Sequence, residues 1–477
     1  MSATPTTSDQ RWPKQIKYII GNEACERFSY YGMTSILQGY ITGKILDGGL
    51  NRSEDYSTEV IHAFKSVNYF TPLLGAWLSD KFWGRYHTIF WVSLLYCVGH
   101  GTLACSDWFS GFHNGKLYCL FAGLTFIAFG SGGIKPCVSA FMGEQFRADQ
   151  SHLMQKAYGA FYWTINFGSF FSFLVIPWFH DHYGYSLAFG VPGILMAIAT
   201  FIFWLGKKHY VIVPTNREKK HHGFFPVFFT ALFSGRGFGK NFWAAAREKF
   251  SENEVAAARS VLPILFVFAL IPMFWALYDQ CNSTWVAQAR KLSDTTVFGL
   301  NIGAERMQSL NPLLIMLFVP VFTWVCYPRM GRFAAPLKRM SYGLFMAGIS
   351  FVLIALVQKH IEAGEHLSVL AQVWPNVFLA AGEVLVSTTG LEFAFREAAP
   401  EMKSTIMSFW LVTIGLGNSL VVVLTKLLSG SGPNAEAASV STGRFMLYAE
   451  MMFGVAVVFS LIAAFYQYRD KAAAEGK

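Results

Sequence analysis

Apolar residues along this chain come in long runs, not in the short alternating patches of a soluble domain. The runs lie near 16–43, 59–79, 86–106, 116–140, 158–178, 185–205, 260–286, 308–327, 337–358, 370–392, 404–429 and 444–467. At 1.5 Å per residue, each is long enough to cross about 30 Å of hydrocarbon as a helix. The pattern therefore predicts an all-α membrane protein with twelve transmembrane helices. Between the sixth and seventh runs the sequence turns polar, which divides it into a six-helix half over 1–205, a linker over 206–258 and a second half over 259–477. Inside the linker, GFFPVFFTALFSG is aromatic but too short to cross. It predicts a helix lying in the membrane interface. A further amphipathic helix is expected over 239–258, leading into the seventh span.

Composition agrees with this reading. The 477 residues are 53% hydrophobic, 17% aromatic and 14% charged, whereas a soluble domain carries roughly a quarter charged residues. The net charge of +9 would suggest nucleic acid in a soluble chain. Here the basic residues sit in short clusters between spans, and no aromatic-interleaved basic patch is present, so nucleic acid is not expected as a partner. Arg11, Lys14 and Lys17, Lys81 and Arg85, Arg147 and Lys156, Lys207 and Lys208, Arg329 with Lys338 and Arg339, and Arg396 with Lys403 all fall on one side. By the positive-inside rule both termini are expected in the cytoplasm. The N-terminal MSATPTTSDQRWPKQ shows no cleavable signal pattern. Seven cysteines without a CxxC spacing predict small buried side chains, with neither a metal site nor a disulfide framework.

The halves share a weak repeat. The loop after the second span reads GAWLSDKFWGRYHT and the loop after the eighth reads VCYPRMGRFAAPLK, each with a Gly-Arg pair. A duplicated six-helix unit is a common transporter plan. Gly75, Asp80, Gly84 and Arg85 form G-x-x-x-x-D-x-x-x-G-R, which resembles the loop motif of the major facilitator superfamily.

Ionisable residues at membrane depth are costly and mark function. In the first span Glu23, Glu26, Arg27, Tyr30 and Thr34 recur at i, i+3, i+4, i+7 and i+11, so they share one helical face. That face must line the bundle interior. A purely structural ion cluster would leave one of the two acids without a local base. Other spans add His62, Lys65 and Tyr69, Lys135, Asn166, Asp279, Gln308 and Asn311, and Glu383 with Glu392. A lone Asn or Gln can simply bond a neighbouring helix, and His62, near the end of its span, can be a solvated interfacial side chain. Lys135 and Glu383 sit deep within apolar runs. Gly132, Gly133 and Pro136 are expected to loosen the helix around Lys135. Together these groups suggest one cavity carrying both signs of charge, suited to a zwitterion. No GxxxxGK[ST] sequence is present, so ATP-driven transport is not expected. Protons are the natural coupling ion for a cavity holding carboxylates and a histidine.

These residues together resemble the proton-dependent oligopeptide transporter family within the major facilitator superfamily. EACERFSYYG is similar to its ExxERFxYYG motif, FYWTINFGS to its FYxxINxGS signature, and GSGGIKP, FWALYDQ and GEVLVSTTGLEF follow family patterns. The resemblance spans essentially the whole chain. It implies two six-helix bundles around a site that opens alternately to each side, symport of di- and tripeptides with protons, and no cofactor. It implies that Arg27 and Lys135 meet the peptide carboxylate, that Glu383 and Asn166 meet the amino terminus, and that Tyr30, Tyr31 and Tyr69 bond the peptide backbone. Trp275, Gln308, Asn311 and Trp410 would shape side-chain pockets. Glu23, Glu26, Asp279 and His62 would handle protons.

Two departures stand out. Thr34 occupies a position where many members have Arg, so Asp279 is expected to pair with Arg27 or Lys135 instead. The linker is too polar for two extra helices and the loop after the ninth span is short, which suggests a compact bacterial-type protein of the cytoplasmic membrane. The competing readings are a same-fold carrier of another zwitterion or anion, such as an amino acid or nitrate, and a membrane enzyme or peptide sensor. An enzyme should carry a constellation such as HExxH, which is absent.

Overall fold

The computed structural model describes residues 12–147, 150–213, 223–234, 242–297, 299–399, 402–428 and 440–466. The N-terminal half runs through α1 (Ile16–Thr42), α2 (Glu54–Leu78), α3 (Gly84–Ala104), α4 (Gly115–Glu144) and α5 (Ser151–Leu205). The last is 55 residues long because two spans are joined end to end, with the fold at Gly184, whose φ is 78°. The linker carries α6 (Phe224–Leu232) and α7 (Ala244–Lys249). The C-terminal half follows as α8 (Glu252–Phe268), α9 (Ile271–Tyr278), α10 (Thr284–Ala289), α11 (Leu310–Val321), α12 (Tyr327–Met330), α13 (Pro336–Glu362), α14 (Val373–Glu383), α15 (Thr389–Glu397), α16 (Lys403–Leu428) and α17 (Thr442–Phe465). A two-stranded antiparallel hairpin, Thr296–Val297 with Leu300–Asn301, caps the turn between α10 and α11.

Each of the twelve expected spans falls on one of these helices or on a run of them. Among the described residues, seven helices are long and apolar enough to span by composition alone, and α8 with α9 forms a further bent pair. The second half of α5 adds another. The remaining three, α1, α2 and α3, fall short of that apolarity. In α1 and α2 the cause is plain, because they carry the buried ions the cavity needs.

Breaks in the spans have local causes. Pro272 has no N–H to donate and its ring crowds the preceding turn, so α8 and α9 part by 45° at Ala269–Leu270. Five-residue π-turns occupy Ser79–Trp83, Phe322–Cys326 and Val384–Thr388, and such turns commonly mark functional points in helices. The third begins directly after Glu383. The first two immediately precede, or nearly so, the repeated Gly-Arg pairs. Gly84 has φ 73° and ψ 162°, and Gly331 φ 51° and ψ −123°, conformations that cost other residues about 1–3 kcal/mol. The sequence repeat therefore puts a positive-φ glycine at the same corner of each half.

Two expectations change. The helix expected over 239–258 is two: Phe250 adopts an extended backbone (ψ 156°), and Ser251 starts α8 with a capping box to Glu254. The linker packs onto the second half, since Phe224, Val227 and Ala231 of α6 and Val255 and Ala257 of α8 are buried in the C-terminal core. Finally, α4 stays helical through Lys135 and Pro136. Its glycines serve close packing: a Cβ on Gly133 would meet Val92 at 3.0 Å, and one on Gly75 would meet Gly133 at 2.6 Å. The two halves keep separate cores, built around Tyr96, Phe141 and Phe203 in one and Phe274, Phe351 and Phe445 in the other. The polar groups meet in the seam between them.

Candidate functional site

The polar face of α1 enters the seam first. Arg27 Nε donates to Glu23 Oε1 at 2.6 Å and lies 3.2 Å from Glu26 Oε2. Ser131 Oγ of α4 donates to Glu26 Oε1 at 3.1 Å. Both glutamates are buried, so two carboxylates share one guanidinium out of bulk water. One turn on, Tyr30 OH accepts from Asn68 Nδ2 at 3.0 Å.

Lys135 Nζ lies between two tyrosine rings, 4.6 Å from the centroid of Tyr30 and 4.4 Å from that of Tyr69. It makes no hydrogen bond among the described residues. Desolvated cation–π contacts contribute about 2 kcal/mol, while burying an ammonium costs several. The rings alone do not offset that cost, so the position favours an approaching anion.

A second cluster joins the halves. Lys65 Nζ of α2 donates to Asp279 Oδ1 at 2.7 Å and to Asn282 Oδ1 at 2.7 Å. Asp279 Oδ2 accepts from Asn418 Nδ2 of α16 at 2.7 Å. Because that amide donates, its Oδ1 must accept from His62 Nδ1, 2.7 Å away. His62 Nε2 then faces Ser283 Oγ at 2.8 Å. His62 is fully buried, which corrects the interfacial reading. Asp279 pairs with Lys65, not with Arg27 or Lys135, because α2 and the α9–α10 turn face each other across the seam.

The opposite wall belongs to the C-terminal half. Asn311 Nδ2 donates to Glu383 Oε2 at 3.1 Å and its Oδ1 accepts from Tyr278 OH at 3.2 Å. Asn282 Nδ2 donates to Gln308 Oε1 at 2.9 Å, and Gln308 Nε2 reaches back to Ser35 O of α1 at 3.0 Å. Between these walls lies a cavity of about 70 Å³. Tyr30, Tyr31, Tyr69, Asn166, Asp279, Gln308, Asn311 and Glu383 line it, as do Thr34 and Lys65.

Other expected residues stand back from that wall. Glu23, Glu26, Arg27 and Lys135 form a layer behind the tyrosines, and His62 lies behind Asp279. Trp275 and Trp410 are buried in the C-terminal core with ring centroids 6.2 Å apart, and Trp410 packs on Phe268 at 5.2 Å. Asn166 lies on the cavity wall, where its side chain donates to Tyr162 O of its own helix at 3.1 Å. Asn282, Ser283, Asn418 and Tyr278 were not singled out from sequence. A polar side chain within an apolar run, as in GLGNSL around Asn418, was the available signal. For Lys65 it was the His62, Lys65, Tyr69 spacing.

Further bridges close the seam at the end where α1 finishes and α2 begins. Arg290 bonds Thr42 Oγ1 at 3.1 Å, Lys291 pairs with Glu54 at 3.1 Å, and Arg306 pairs with Asp181. Together with His62, Lys65 and Gln308, these tie the halves over that end of the cavity. At the opposite end, within each half, Arg85 pairs with Glu144 and Arg339 with Glu392 at 2.6 Å.

Two helical bundles with separate cores, a charged cavity in the seam and ion-paired bridges gathered at one end define a membrane transporter of the major facilitator fold. The model of the POT family matches residues 86–439, and the chain belongs to that family. It is 35% identical over 409 residues to solute carrier family 15 member 2 of Mus musculus, covering 81% of this chain and 55% of the relative. It is 37% identical over 385 residues to peptide transporter family 2 of Caenorhabditis elegans, covering 74% of this chain and 48% of the relative. The chain thus spans about half the length of the curated relatives it matches. A crystal structure described as an auto-inhibited POT family peptide transporter aligns with a TM-score of 0.86 at 36% identity, over 95% of this chain and 98% of that one.

Proposed function

We propose that this chain is a proton-coupled symporter that carries di- and tripeptides by alternating access. One observation carries the reading. Lys135 of α4 and Glu383 of α14 come from opposite halves, Glu383 on the cavity wall and Lys135 directly behind the wall tyrosines Tyr30 and Tyr69, and neither has an ion-pair partner within 4 Å among the described residues. A ligand with a carboxylate at one end and an ammonium at the other supplies both counter-ions at once. Because all short peptides share those termini, two fixed poles accept many sequences, and the tyrosines leave the side chains few obligatory contacts. The relatives named for peptide transport support the same ligand class.

Proton coupling falls to carboxylates whose partners are shared. Glu23 and Glu26 compete for Arg27, and Asp279 divides its oxygens between Lys65 and Asn418. A proton on Asp279 weakens the tie that holds the halves together, and a proton on Glu23 or Glu26 frees Arg27 toward an incoming carboxylate. Each step biases one conformation by differential affinity. The basic clusters on the side where α1 begins support assigning that side to the cytoplasm of a cytoplasmic membrane. The bridged end then faces outward, and the present conformation is closed to the outside.

The test is uptake of a labelled dipeptide into proteoliposomes under an inward proton gradient. Accumulation that collapses with a protonophore, and that unlabelled dipeptide but not free amino acid or nitrate competes away, is the expected result. Accumulation that survives the protonophore, or competition by free amino acid alone, overturns the reading.

A further inference from the structure

A second groove opens on the lipid-facing side of the seam, away from the central cavity. It measures about 330 Å³ and is walled by Ala63 and Val67 of α2, Phe121 and Leu124 of α4 and Val422 of α16. Val67 and Phe121 remain about two-fifths exposed. Its rim carries one charged pair, with Glu59 Oε2 3.9 Å from Lys426 Nζ. That separation is at the edge of an ion pair, and the Lys426 side chain is 64% exposed.

The order of these groups follows a bilayer. Glu59 lies in the second turn of α2 and Lys426 two residues before the end of α16, helix ends that the twelve-span reading sets near the membrane surface. From Glu59 to Val67 is about 12 Å along the helix, all of it apolar on the groove side. A cleft of this kind inside hydrocarbon holds an acyl chain, and bilayer lipid is the species present at that depth. The rim selects the headgroup. One anion and one cation, each with hydrogen-bonding capacity to spare, complement an ammonium and a phosphate joined by a short linker.

We propose that this groove binds a zwitterionic phospholipid with a primary ammonium, its amine on Glu59, its phosphate on Lys426 and one acyl chain along α2. The walls come from both halves, and α2 is joined to α16 just below, where Ser66 Oγ bonds Gly415 O at 3.1 Å. A lipid seated there fastens the halves at the bridged end and favours the conformation described here over its opposite.

The purified full chain is to be equilibrated in detergent with dioleoyl phosphatidylethanolamine, phosphatidylcholine or phosphatidylglycerol, and lipid retention read by native mass spectrometry. Phosphatidylethanolamine should be retained about tenfold more tightly than phosphatidylglycerol, the loss expected for one charge-assisted hydrogen bond. Phosphatidylcholine, whose trimethylated amine cannot donate, should fall between. Glu59→Gln with Lys426→Gln should erase the preference, and Ala63→Phe, which fills the groove, should lower retention of all three. Variants are compared only where their monodisperse elution matches the parent. Equal retention of the three lipids, a preference that survives the double variant, or retention unmoved by Ala63→Phe overturns the proposal.

Discussion

The Lys65–Asp279 pair should act as a latch between the halves, separable from the chemistry of proton transfer. Both side chains are almost fully buried, at 4% and 8% exposure, and lie on opposite sides of the seam at 2.7 Å. Removing one partner of a buried pair costs about 3–5 kcal/mol, chiefly because the other charge is left uncompensated. Asn282 would still hold Lys65, and Asn418 would still hold Asp279, so the lower end, about 3 kcal/mol, is the reasonable figure. At 1.4 kcal/mol per decade, that shifts the closed-to-open ratio about a hundredfold. Removing both charges leaves no orphan, and replacing a buried pair with neutral groups is often close to neutral in free energy.

The experiment is a double-mutant cycle. Spin labels at Leu46 and His366, both exposed at the bridged end, report the closed fraction in Lys65→Met, Asp279→Asn and the double variant, with the native cysteines replaced. Each single variant should open the bridged end by about two orders of magnitude in ratio, and the double should return most of the way, a coupling of about 5–6 kcal/mol in magnitude. Proton-driven accumulation should stay lost in the double variant, because Asp279 is the proposed proton carrier. Effects that add within about 0.5 kcal/mol would mean that the pair is a bystander and refute the latch.

Glu383→Gln keeps a side chain of the same shape beside Asn311 but removes the charge. It should weaken competition by dipeptides with a free amino terminus about 10- to 100-fold and leave N-acetylated dipeptides unaffected, as read in a competition uptake assay. Gly84→Ala and Gly331→Ala each place a Cβ at positive φ and should cost about 1–3 kcal/mol, seen as a fall in thermal unfolding temperature. Gly443→Ala, with nothing within 4 Å of its Cβ position, should not.

Much of the architecture was legible because the signals that set it are local. The twelve runs, the two Gly-Arg corners and the single face holding Glu23, Glu26, Arg27 and Tyr30 are all set by residues within a few turns of one another. Partners were not legible for the opposite reason. Lys65 and Asp279 are 214 residues apart in sequence, and helical periodicity places a residue on a face without saying which helix that face meets. The same gap explains Trp275 and Trp410: an aromatic in a core helix reads alike whether it points into the seam or into its own bundle. Once the pairings are known, the charges sort themselves. Arg27 is shared by Glu23 and Glu26, and Lys65 satisfies Asp279. Of the deep ions, that leaves Lys135 on one half and Glu383 on the other without a counter-ion among the described residues. A carboxylate on the cavity wall and an ammonium behind its tyrosines, both unmatched, are costly when the cavity is empty, and the proposed zwitterion would relieve both. Thr34 belongs to this balance: a cation there would compete with Lys65 for Asp279, and the chain holds that charge on α2 instead.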